Sequence, residues 1–176
     1  TTACPPASTG PHIISMLLQN EAGALARVAG LFAARGYNID SLTVAATHDP
    51  AVSRLTLVTV GEDTVIEQIL QQSSKLLDVL DIADLTAREH LEVELLIAKL
   101  AVEPAVAPQL AACVRRHPRA LIFDESPGTR TVQFAGSGSE INAFLAELAA
   151  IAPVLELARS GTAALERGEA WLAVPA

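Results

Sequence analysis

One order of hydrophobic patterns occurs twice along this chain, and it limits the fold more than any other feature. His12 to Leu18 (HIISMLL) is an apolar run of strand length. Residues 23–35 then place Leu25, Val28, Ala29 and Phe32 at helical spacing and stop at Gly36, a helix-ending residue. Residues 37–46 read as a strand, THDPA at 47–51 as a turn, and residues 53–60 as a second alternating strand. Val65, Ile66, Ile69 and Leu70 mark a helix over 63–75, and residues 76–86 return as a strand. The same succession follows: a strand at 91–102, a helix at 104–116, a hairpin made of 119–124 and 130–135 around ESPGT, a helix at 139–149 and a strand at 154–163. Pro104 and Pro108 move the start of the third helix to the second proline. Pro127-Gly128 suits a type II turn, and Ser137-x-x-Glu140 has capping-box spacing, with Ser139 a second candidate cap. The expected fold class is α+β: two ferredoxin-like βαββαβ units over 12–86 and 87–163, joined near 86–91, with a disordered leader at 1–11 and a tail at 164–176. Such units carry both helices on one sheet face, so the other face and the edges need cover, and association is expected.

Composition narrows the function. The net charge is −8 and the basic residues are scattered, which argues against a nucleic-acid surface. The chain is 51% hydrophobic but only 3% aromatic, so its cores must be aliphatic. No apolar run reaches the ~18 residues of a membrane span. Cys4 and Cys113 form no CxxC pair, and the leader lacks the basic start and apolar stretch of a secretory signal, so a reducing cytoplasm is expected.

Catalytic constellations are scarce. GSGSE at 136–140 lacks the third glycine of a dinucleotide fingerprint and the lysine of a P-loop, so it reads as a capped turn. Cys113 and His117 are four residues apart and can share a helix face, but a metal or thiolate–imidazole pair needs further ligands or a base. They read as a core cysteine and a helix-end histidine, and no metal site is expected. Asp78, Asp81 and Asp84 are spaced along a strand without forming a carboxylate pair. Neither GxSxG nor HExxH occurs, and no catalysis by this chain alone is expected.

The stretch NEAGAL, Asn20 to Leu25, poses a sharper question. Asn20 reads as a helix N-cap and Glu21 as a first-turn acid, which puts Gly23 inside the first turn at a cost of about 0.5–1 kcal/mol relative to alanine. Either a neighbouring chain comes close there, or small side chains leave the helix start open, so that its N–H groups bind an anion such as a carboxylate.

NEAGAL, RVAGLFAARGYNIDSLTVA and DPAVSRLT, with LDVLDI, AFLAEL and ARSG further on, resemble the regulatory (small) subunit of acetohydroxyacid synthase, also called acetolactate synthase. The resemblance spans about residues 12–168, dense in the first half and looser in the second. It implies that the first unit is an ACT domain and that the chain is a non-catalytic partner. The family's large catalytic subunit carries thiamine diphosphate, Mg²⁺ and usually FAD; no cofactor is implied on this chain. The small subunit raises the activity of that partner and confers feedback inhibition by valine in branched-chain amino-acid biosynthesis. ACT domains pair side by side with the effector at the interface, which implies a homodimer. By position, Asn20, Ala22, Gly23, Ala24 and Leu25 would meet the effector carboxylate, while Asn38 and Ile39 would come from the other protomer. Leu25 and Ile39 would line the isopropyl pocket. An exposed apolar strip on the first unit is the expected surface for the large subunit. The alternatives are a free-standing ACT amino-acid sensor, and a small enzyme using Cys113 or scattered carboxylates, whose turnover would be lost on Cys113→Ala.

Overall fold

A computed structural model of the chain describes residues 9–175. These divide into two compact units, one containing residues up to Leu91 together with Ala163 onward, the other Glu92–Thr162. Each has the βαββαβ order that the sequence implies.

In the first unit the elements are β1 (Thr9–Gln19), α1 (Ala24–Ala34), β2 (Ile39–Ala46), β3 (Val52–Glu62), α2 (Asp63–Ser73) and β4 (Val79–Asp84). The sheet is antiparallel in the order β2-β3-β1-β4. Strand alternation turns Ile14, Met16 and Leu18 of β1 and Leu55 and Leu57 of β3 to one face. Val28 and Phe32 of α1 and Ile66 and Ile69 of α2 close over that face, and all of these side chains are buried. The helical spacing read at 23–35 and 63–75 is therefore the spacing of the core.

Three boundaries differ from the sequence reading. Residues 1–8, with most of the expected leader, lie outside the described residues, but residues 9–11 are strand rather than leader. Thr9, Gly10 and Pro11 pair with Glu62, Gly61 and Val60, because β3 extends that far and offers them a partner. At the other end, β4 starts only at Val79. Residues 76–78 make a turn closed by the Val79 N–H on the Leu76 carbonyl at 3.1 Å. Third, residues beyond 163 fold onto the first unit. Ala164 and Leu172 pack with Ile13, Ala83 and Leu85, whose alternation points them away from the helices. Arg88 pairs with Glu166 at 2.8 Å, and the Ala173 N–H donates to Asp81 at 2.8 Å. The sequence suggested that the open sheet face needs cover; part of that cover is this terminal segment, which includes the short strand β9 (Ala163–Glu166).

The second unit comprises β5 (His90–Ala101, which begins in the first), α3 (Ala107–Arg116), β6 (Ala120–Ser126), β7 (Thr129–Gly136), α4 (Gly138–Ile151) and β8 (Val154–Arg159). Its sheet runs β6-β7-β5-β8. Leu96, Ala98 and Leu100 of β5 meet Leu110 and Cys113 of α3 and Ile141, Phe144 and Leu148 of α4. Pro108 sits in the first turn of α3, where its missing N–H costs nothing. The ESPGT hairpin turns at Pro127-Gly128, with Gly128 at φ +78°. Ser137 and Glu140 form the reciprocal capping box: the Glu140 N–H donates to Ser137 Oγ and the Ser137 N–H to the Glu140 carboxylate. Glu94, buried in β5, is held by Arg159 through two bonds of 2.7 Å.

Candidate functional site

The loop from β1 into α1 is tied down at one residue. The Asn20 N–H donates to the Ala51 carbonyl at 2.8 Å, its Nδ2 donates to the Pro50 carbonyl at 2.8 Å, and its Oδ1 accepts from Ser53 Oγ at 2.9 Å. Asn20 is thus an anchor to the β2–β3 turn and the start of β3, not the helix N-cap expected from the sequence. Both its side-chain Nδ2 and Oδ1 are engaged there, away from the helix start.

The N-cap is Gly23, with φ +88° and no side chain to bond the first turn. That left-handed conformation is the reason for glycine here: an L-residue would pay about 1–2 kcal/mol to adopt it. No acid lies in the first turn, so Glu21 precedes the helix rather than occupying it. The first four N–H groups of a helix have no partner within it. Here the Ala24 N–H turns back to the Glu21 carbonyl at 3.3 Å, and the Arg27 N–H makes the first helical bond, to the Gly23 carbonyl at 3.0 Å. The N–H groups between them are left without a capping side chain, beside exposed Ala22 and Gly23 and a Leu25 that is 39% exposed. Ala24 is buried.

Asn38 and Ile39 lie past the other end of α1. Asn38 is exposed, its Nδ2 donates to Asp40 at 2.9 Å, and its carbonyl accepts from Thr59 Oγ1 at 2.6 Å. Ile39 is half-buried at the rim of the core. Eleven helical residues at about 1.5 Å each separate these two groups by about 16 Å. Within one chain they are not brought together. Both flank elements at the accessible margin of the unit, since β2 is an edge strand.

Sequence reasoning missed the ion pair beside this loop. Arg27, one turn into α1, donates from Nε and Nη2 to Asp78 at 2.5 and 2.6 Å. The Gln19 N–H also bonds the Asp78 carbonyl at 2.8 Å, so Asp78 ties β1, α1 and the turn before β4 together. The Arg27 hydrogen bonds hold the Asp78 carboxyl below its ordinary value. The hydrophobic pattern at 76–86 reads Asp78 as a strand residue and carries no signal of the pair, because its place in the turn before β4, facing Arg27, is set only when β4 returns alongside β1.

The remaining candidates separate. Asp81 accepts from the Ile82 and Ala173 N–H groups, and Asp84 from the Thr86 N–H with His12 Nδ1 3.1 Å away, so the three aspartates serve different contacts. GSGSE is the capping box. Cys113 and His117, by contrast, do meet, and they share a third group, Glu147 of α4.

Two ferredoxin-like units in tandem, the first with an uncapped, glycine-opened helix start, define the class. Residues 14–81 match the family model for the AHAS small subunit-like ACT domain, and residues 93–168 match that for the small subunit of acetolactate synthase. The chain is 45% identical over 161 residues to the acetolactate synthase isozyme 3 small subunit of Escherichia coli strain K12, covering 90% of this chain and 96% of that one. It is 38% identical over 156 residues to the acetolactate synthase small subunit of Aquifex aeolicus, covering 89% and 81%. The crystal structure of the Thermotoga maritima acetolactate synthase small subunit is also similar, with 32% identity, a TM-score of 0.81, and coverage of 92% of this chain and 99% of that one. The chain belongs to the acetolactate synthase small-subunit family.

Proposed function

We propose that this chain is the regulatory subunit of acetohydroxyacid synthase: it binds the catalytic large subunit, raises its activity and makes it sensitive to inhibition by valine. Membership of the small-subunit family supports the partner. Thiamine diphosphate, Mg²⁺ and FAD belong to that partner, this chain is not itself an enzyme, and the assembly works in the cytoplasm.

The observation that carries the effector site is the left-handed, side-chain-free N-cap at Gly23. An amino-acid carboxylate approaches the open N–H groups of Leu25 and Ala26, beside Ala22 and Gly23, and the positive end of the helix dipole, without meeting a Cβ at residue 23. Asn20 keeps this loop in place through the residues around Pro50. Asn38 and Ile39, about 16 Å off in the same chain, complete the site from a second protomer. There the Asn38 side-chain oxygen accepts from the effector ammonium, and Ile39 with Leu25 contacts the isopropyl group. This makes the active form a homodimer through the first unit, residues 12–86. The effector inhibits by binding two states of the assembly unequally. Leu25, Val44, Val60 and Leu77 are among the exposed apolar groups on the first unit that a neighbouring chain can cover.

Reconstitution tests the reading. Acetolactate formation by the large subunit from the same organism, measured with and without this chain and valine, should rise with the chain and fall with valine. No co-elution and no activation would sink the proposal. Valine binding without any effect on the large subunit would favour a free-standing amino-acid sensor. In Gly23→Asp, valine sensitivity should vanish while activation survives, because the new carboxylate repels the effector's own. A variant as sensitive as the parent would place the effector elsewhere.

A further inference from the structure

The second unit gathers three side chains that the effector site does not use. Cys113 and His117 stand one turn apart at the end of α3, and Glu147 faces them from α4. Cys113 Sγ lies 3.6 Å from Glu147 Oε2, His117 Nε2 lies 3.2 Å from Glu147 Oε1, and the ligand atoms are all within 4.8 Å of one another. Thiolate, imidazole and carboxylate are the three ligand types of protein zinc sites. Held at about 2.3 Å from sulfur and 2.0–2.2 Å from nitrogen and oxygen, tetrahedral zinc keeps its ligands about 3.3–3.6 Å apart. Two of the three edges already have close to that length.

The surroundings suit such a site. The His117 ring packs edge-on against Phe144, with centroids 4.7 Å apart, and against Phe134 at 5.9 Å. These contacts hold the imidazole with Nε2 toward the carboxylate. Cys113 is fully buried, while His117 and Glu147 keep 26% and 39% of their side-chain surface exposed, so the cluster opens to solvent on one side. Burial, and after it the hydrogen bond to Glu147, raises the pKa of the free thiol.

We propose that Cys113, His117 and Glu147 form a three-ligand site for a zinc-class divalent cation, with water in the fourth position, that clamps α3 to α4. A thiolate and a carboxylate together balance the double positive charge. Binding releases the thiol proton to solvent. It also displaces Arg116, whose Nη2 lies 2.9 Å from Glu147 Oε2 and whose side chain, 64% exposed, moves to water.

The test uses the full chain in a Cys4→Ser background, so that Cys113 is the only thiol. Zn²⁺ is titrated by calorimetry, and Co²⁺ by absorption spectroscopy. One ion per chain is expected, with a thiolate-to-cobalt charge-transfer band that disappears in Cys113→Ser. Glu147→Gln and His117→Gln should each weaken binding at least about tenfold, a loss that even changes to groups supporting a metal ligand commonly produce. Arg116→Ala should bind more tightly, because it frees the carboxylate; a plain hydrogen-bonded cluster predicts no ion in any variant. The proposal is overturned if neither the parent nor Arg116→Ala takes up an equivalent of Zn²⁺, or if uptake is unchanged by Cys113→Ser.

Discussion

Gly23 and Gly30 differ only in where α1 places them, and that difference sets opposite responses to the same substitution. Gly23 has φ +88°, and a Cβ there would come within 2.9 Å of Arg27 Nη1. Gly23→Ala should therefore lower stability by about 1–2 kcal/mol, the ordinary cost of a left-handed L-residue, and should disturb the hold of Arg27 on Asp78. Gly30 lies inside the helix with nothing within 4 Å of its Cβ position. Gly30→Ala should raise stability by about 0.5–1 kcal/mol. Urea unfolding of the two variants checks both signs. The residue type at 23 was legible as unusual, but its reason was not. The sequence placed the helix start at Asn20, since asparagine is a strong N-cap; the structure spends that side chain on Pro50 and Ser53, and the cap falls three residues later.

At the level of elements, the Arg27–Asp78 pair fastens α1 to the turn before β4. Its effect on pH dependence has a definite sign. The Asp78 carboxyl is depressed in the fold from an ordinary value of 3.8, so the unfolded chain takes up this proton first. The pair's contribution is complete well above pH 3.8 and is lost as pH falls below it through the lower folded value. Urea midpoints measured between pH 7 and pH 3 should fall less steeply in Asp78→Asn than in the parent. An equal slope in both would show that the pair is not a source of acid lability. Salt should weaken the effect, because the Arg27 side chain is half exposed. The element order itself was readable throughout, because both helices of each unit present apolar residues at a helical period and the strands between them alternate. What escaped was where β1 begins and β4 resumes, since pairing with β3 and the demands of a turn decide those ends.

For the molecule as a whole, the sequence showed that a sheet with helices on one side leaves its other side open. It did not show that residues 163–175 fold back over the first unit. Removing 163–176 should uncover Ile13, Ala83 and Leu85, raise binding of a hydrophobic dye and lower the urea midpoint. A truncated chain that matches the parent in both would mean that this segment adds no cover.

The sequence by itself determined the two βαββαβ units, the aliphatic cores and the family, because hydrophobic period and motif spacing are local properties read along the chain. Tertiary structure alone decided that Gly23 caps α1 in a left-handed turn, that Asp78 is the partner of Arg27, and that Glu147 joins Cys113 and His117. Each of these depends on residues up to 51 positions apart meeting through the packing of separate elements, and no spacing rule encodes such a meeting.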